Sequence, residues 1–157
     1  MAISACNMPD ATLADGHITL KDRIVTLHAE GAPDATIDAD GKLLIEGKAV
    51  SVTPGQQGLL MLYYQHVADI HDAGVAMSKV GADMGMKALK DTTAGKSKAE
   101  KDQDAEAGGK QLKAMGQKMC QQEAGIKDVQ EQLAAQLPAF RPYAKLVTKS
   151  NSDCDKD

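Results

Sequence analysis

The chain has 157 residues, with 18 Lys and Arg against 22 Asp and Glu, for a formal net charge of −4. That length fits one domain or a small domain with an extension, and the acidic balance argues against nucleic acid, whose binders carry a basic patch. With no Trp, one Phe and three Tyr, large aromatic anchors are scarce, so aliphatic residues, Ala and eight Met must fill the core.

No run approaches the ~18 apolar residues of a membrane span. The start, MAISACNMPD, is too short and too polar for a signal peptide. The expectation is a cytosolic protein, or a mature form to which Met1 was added. Ile3-Ser4-Ala5-Cys6 also resembles the lipobox of bacterial lipoproteins, which would make Cys6 a lipid anchor.

Residues 1–15 lack periodicity, contain Pro9 and read as an N-terminal arm. Residues 16–52 read as a β-meander. His17-Ile18-Thr19-Leu20 alternates, and Arg23 to His28 is β-branched and half apolar. Ala35-Thr36-Ile37-Asp38 follows a Gly-Ala-Pro-Asp turn. Asp40-Gly41 is the strongest hairpin signal, because a type I′ turn needs positive φ at both central positions. Lys42 to Ile45 is the next strand, and Glu46-Gly47 turns into Lys48 to Val52.

The period then changes. Thr53-Pro54-Gly55-Gln56 is a capping box with Pro at the first helical position. From there Leu60, Tyr63, Val67, Ile70, Gly74, Met77, Gly81 and Met84 step by three and four, a heptad seam that predicts helix–helix packing. Such a helix, running to about Lys90, is roughly 55 Å long. A compact domain of this size is nearer ~30–35 Å across, so the helix must project, bend or pack in an oligomer.

Residues 91–110 show no strong apolar face and read as a mobile connection. A second seam follows at Leu112, Met115, Met119, Ile126, Val129 and Leu133, with Gln122 and Gln136 at two of its positions, and Pro138 stops it. Residues 53–138 thus form a helical hairpin. Residues 139–157 form an apolar return segment around Phe140, Tyr143, Leu146 and Val147, and then a polar, disordered tail. The fold class expected is α+β: a small antiparallel meander followed by a long antiparallel helical hairpin, dimeric through its seams.

Gly74, Gly81 and Gly85 each cost ~1 kcal/mol within a helix. Close approach of another backbone at Gly74 and Gly81 is the expected reason. His66, Asp69, His71 and Asp72 share one segment, but His71 is five residues from His66, so a solvated face fits better than a metal site. Met77, Met84, Met86, Met115 and Met119 suggest soft-metal thioethers, yet most are seam positions where Met fills gaps. No metal, cofactor or catalytic residue is assigned, and scattered Ser and His residues leave an enzyme open without favouring one. Three cysteines leave one over, and Cys154 in the tail SNSDCDKD is the natural odd one. A Cys6–Cys120 bridge and three reduced thiols both remain open.

The order of parts carries a resemblance. An N-terminal Cys, short strands, DGKLLIEGKAVSVTPGQ, a long helix and a late helical Cys in MGQKMCQQEAGIKDVQEQL resemble the YggN-like family of periplasmic proteins of unknown function. The likeness spans roughly residues 4–137, with a shorter middle around 91–110 and a tail after Pro138 particular to this chain. It implies export to the periplasm, a Cys6–Cys120 disulfide and no enzymatic activity. Small proteins of this kind look like immunity proteins that bind an antibacterial effector toxin delivered by type IV secretion. The rival expectations are an envelope housekeeping or chaperone-like protein, anchored through Cys6, and a Met/His metal-binding protein.

Overall fold

The computed structural model describes residues 10–156. Six strands come first: β1 (Ala11–Leu13), β2 (Ile18–Lys21), β3 (Ile24–Leu27), β4 (Ala35–Ile37), β5 (Leu43–Ile45) and β6 (Lys48–Ala49). They pair antiparallel in sequence order, a pure meander. Two long helices follow, α1 (Pro54–Thr93) and α2 (Lys98–Gln136), then a 3-10 segment (Pro138–Tyr143) and a short α3 (Asn151–Cys154). The α+β class and the helical hairpin are therefore as the sequence patterns indicated.

Strand alternation decides which face of the sheet is covered. Val25, Ile37 and Leu43 stand opposite one another across β3, β4 and β5, and all are buried. Leu27 and Ala35 form the next buried row. Against this face pack Leu60, Tyr63, Val67 and Ile70 of α1, and Ile126, Val129 and Leu133 of α2. The return segment closes the core with Phe140, Tyr143 and Val147. Phe140 meets the Tyr63 ring edge-on at 6.0 Å between centroids, and the Tyr143 hydroxyl donates to the Pro33 carbonyl.

Two hairpins carry positive φ at both central residues, the requirement of a two-residue primed turn. They are Asp22-Arg23 between β2 and β3, and Glu46-Gly47 between β5 and β6. Asp40-Gly41 is different from expectation: only Gly41 is at positive φ. Here the Asp38 carboxylate accepts from the backbone N–H of Asp40 and of Lys42, at 3.0 and 2.9 Å, and organises a longer loop. Gly41 is nonetheless required, because a Cβ there would sit 2.5 Å from the Gln57 carbonyl oxygen.

Helix α1 starts where the capping box predicts. Gln56 N–H donates to Thr53 Oγ1, and the Thr53 N–H donates to Gln56 Oε1. The expected connection over 91–110 shrinks to residues 94–97. Ser97 and Glu100 form a second reciprocal capping box that starts α2. At the end of α1, Gly95 takes φ +68° and the Lys96 N–H reaches back to the Asp91 carbonyl, closing a Schellman-type turn.

Three further expectations are corrected. The segment 1–15 is not an arm throughout, since β1 lies within it and a 3-10 turn (Ala14–Gly16) begins there. The tail is not disordered over its described length: α3 forms and Cys154 is buried. And Cys120 is bonded to Cys154, 34 residues away, not to Cys6. Cys6 lies outside the described residues. Val147 is held by Gln130, and the chain then runs only a few residues to Cys154, which keeps the tail beside α2.

Candidate binding surface

Each helix presents one flank to the core and its remaining flanks to solvent, so the hairpin itself is the main candidate surface. Its base is held by several linked contacts. Gln130, 1 % exposed, donates from Nε2 to the Val147 carbonyl at 2.8 Å and accepts the Val147 N–H at 3.1 Å. The Cys120–Cys154 bond then fixes α3 against α2, and Ser150 caps α3 through Asp153. The backbone N–H and hydroxyl of Ser150, helped by Lys156, hold the Asp153 carboxyl well below the usual carboxylate range.

The tip of the hairpin is fixed by charge. Lys96 Nζ lies 3.2 Å from Asp91 and 3.5 Å from Asp104, and Lys87 lies 3.0 Å from the other Asp104 oxygen. Hydrogen bonding to Asp91 raises the Lys96 ammonium pKa, and hydrogen bonding to Lys87 lowers that of Asp104. Asp91 is the buried member, with its side chain 8 % exposed. A cleft of about 210 Å³ beside this network is lined by Met84, Ala88, Lys101 and Ala105.

Two longer grooves flank the middle of the hairpin. One, of about 350 Å³, lies between α1 and α2 and is lined by Asp69, Asp72, Ala76, Met115, Lys118 and Gln122. The other, of about 270 Å³, lies under β1 and is lined by Thr12, Ile70, Gly74, Val75, Ser78 and Met119. A third cleft of about 300 Å³ separates the 3-10 turn after β1 from residues 146–149 and Glu123.

The predicted seam residues divide along the helices. Leu60, Tyr63, Val67, Ile70, Ile126, Val129 and Leu133 are buried in the shared core. Gly74, Met77, Met84, Leu112, Met115 and Met119 are half-buried, and Gly81 is exposed. Close approach does occur through glycine, but on α2 and not at Gly74 or Gly81. A Cβ on Gly108 would meet Met84 Sδ at 2.5 Å, and one on Gly125 would meet the His66 ring at 2.7 Å, whereas Gly74, Gly81 and Gly85 have nothing within 4 Å. Knobs from α1 thus enter gaps in α2. Sequence reading fixed on the α1 glycines because they fall on its seam, and the α2 glycines carried no such flag.

Polar residues singled out in α1 pair within the protein. His66 Nδ1 hydrogen-bonds to Gln122 Oε1, Gln65 donates to Asp69, and His71 meets Asp72 at 3.1 Å. Among the described residues no three His, Cys, Asp or Glu side chains gather as a metal site. The methionines scatter: Met84 lies at the tip cleft, Met115 and Met119 line different grooves, and Met86 is 61 % exposed. Sequence reading missed the buried Tyr63 hydroxyl, which has no hydrogen-bond partner among the described residues. Among those residues no helix is long and apolar enough to cross a membrane. No model of a known protein family matches the chain, and no curated protein or solved structure matches it either.

Proposed function

We propose that this chain is a non-enzymatic immunity protein of the bacterial periplasm that binds and neutralises an antibacterial effector toxin delivered by type IV secretion. The observation that supports this most is the Cys120–Cys154 bond, since structural disulfides persist in oxidising compartments such as the periplasm. The bond and the Gln130–Val147 hydrogen bonds brace the base of a long helical pair, and a braced surface binds a partner at low cost in ordering. The groove between α1 and α2 is the face best suited to that contact. It combines the acids Asp69 and Asp72 with Lys118, which impose orientation, and Met115, whose flexible thioether adapts to a partner.

The test is co-expression in the periplasm with a secreted effector encoded beside the protein's own gene. Rescue of growth and a stoichiometric complex are expected, and a Met115→Glu, Lys118→Glu double variant should fold but rescue poorly. Neither binding nor rescue by the unaltered protein would sink the reading.

A further inference from the structure

The distal part of α1 carries a second seam, separate from the one packed within the chain. Beyond His71 the only buried residue of α1 is Asp91. Val75, Ser78, Ala82, Gly85 and Leu89 step by three, four, three and four, so they line one stripe of the helix. Val75 is 47 % exposed and Leu89 72 %, and Gly85 has nothing within 4 Å of where its Cβ would be. Residues turned to α2 are different ones, such as Met84 over Gly108 and Lys87 against Asp104. Val75 and Leu89 thus leave apolar surface exposed on a second flank of α1, with small residues between them that permit close approach of another helix.

Charge along α1 selects what covers the second flank. Asp69 and Asp72 come first, Lys79 and Asp83 stand in the middle, and Lys87 and Lys90 come last. Read against itself in the same direction, this order sets acid on acid and base on base. Read in the opposite direction about a centre near residue 80, it sets Asp72 against Lys90, and Lys79 against Asp83, while Lys87 stays with Asp104 of α2. The same centre sets Val75 against Gly85, a large side chain against none, and Ser78 against Ala82, two small ones that let the backbones approach. We propose that this face of α1 pairs antiparallel with the same face of a second copy of the chain, an isologous contact about a two-fold axis.

From Asp69 to Lys90 the face is ~32 Å long and a helix is ~10 Å across. That footprint falls short of the ~800 Å² per partner of a standard interface. The neighbouring flank of α2 must therefore join, so that two hairpins build a four-helix bundle. This interface is distinct from the seam expected to hold a dimer, which is used inside the chain, and it does not depend on the toxin-binding reading.

Sedimentation of the full chain across micromolar concentrations tests it. The mass should rise towards twice that of the monomer. Ala82→Glu, at an exposed site, should leave the circular dichroism unchanged and return the protein to a monomer. Lys90→Glu should weaken the dimer at least several-fold, and adding Asp72→Lys should restore it, because the antiparallel register swaps these partners. A monomer at every concentration overturns the proposal. So does a dimer indifferent to Ala82→Glu. An effector complex that Ala82→Glu breaks, with the free protein monomeric, would assign the face to that partner instead.

Discussion

Three single residues show how local chemistry constrains this fold. Gly41 and Gly47 both sit at φ near +76°, but only Gly41 lies against another backbone. Alanine at either position strains the turn by ~1 kcal/mol. At Gly41 it must also push the first turn of α1 away from the loop that Gln57 binds. Urea unfolding should therefore show Gly41→Ala costing at least ~2 kcal/mol and Gly47→Ala about 1. Equal losses would mean that α1 yields without cost. Tyr63 makes the opposite case, because its buried hydroxyl lacks a partner. Phenylalanine keeps the ring contact with Phe140 and removes the unsatisfied group, so Tyr63→Phe should stabilise by ~1 kcal/mol. The Asp40-Gly41 signal was legible as a turn in the sequence. Its type was not, because the Asp38 carboxylate and the approach of α1 decide it, and both are tertiary facts.

At the scale of elements, residues 91–110 are the instructive stretch. They lack an apolar face, so periodicity alone reads them as loop. Yet Ser97-Lys98-Ala99-Glu100 is a capping-box motif, and the structure starts α2 there. The start signal lies in those four residues, not in any apolar period, so a reading by composition and periodicity passes over it. What the sequence could not show is that Lys96, Asp91, Asp104 and Lys87 form one network across the turn. Lys96→Met should remove the cation from a carboxylate that is 8 % exposed and so destabilise the turn. Among the described residues only α1, α2 and the turn between them form the tip, so the loss should stay local. Hydrogen exchange should accelerate across residues 84–105 while the melting temperature of the body moves little. A global loss of stability instead would mean that the tip and the sheet unfold as one unit. The seams themselves were legible where they are core, from Leu60 to Ile70 and from Ile126 to Leu133. Beyond those residues the same periodicity continues without burial, and spacing cannot tell a covered stripe from a bare one.

For the whole molecule, the disulfide and the buried tyrosines govern stability in different conditions. The bond closes a loop over 34 residues that contains half of α2 and the return segment. On the chain-entropy argument, such a cross-link stabilises by about 3.5–4 kcal/mol as an upper bound. Its partner was misread because the tail SNSDCDKD has no apolar pattern; Cys154 is ordered by Gln130, 17 residues before Val147, and by the bond itself. Tyr63 and Tyr143 act at the other end of the pH scale. Burial raises the phenol pKa of both above the ordinary value of 10.0, so the neutral form is favoured in the fold. The unfolded chain ionises first, and stability present below pH ~10 is lost as pH rises, by about 1.4 kcal/mol per unit for each phenol that stays neutral in the fold. Thermal unfolding followed from pH 9 to 11.5 should therefore decline steeply above about 10. Tyr63→Phe should flatten that decline by close to one phenol's share, and the remaining slope belongs to Tyr143, whose hydroxyl donates to the Pro33 carbonyl. An unchanged slope in Tyr63→Phe would mean that the hydroxyl reaches solvent before the core opens.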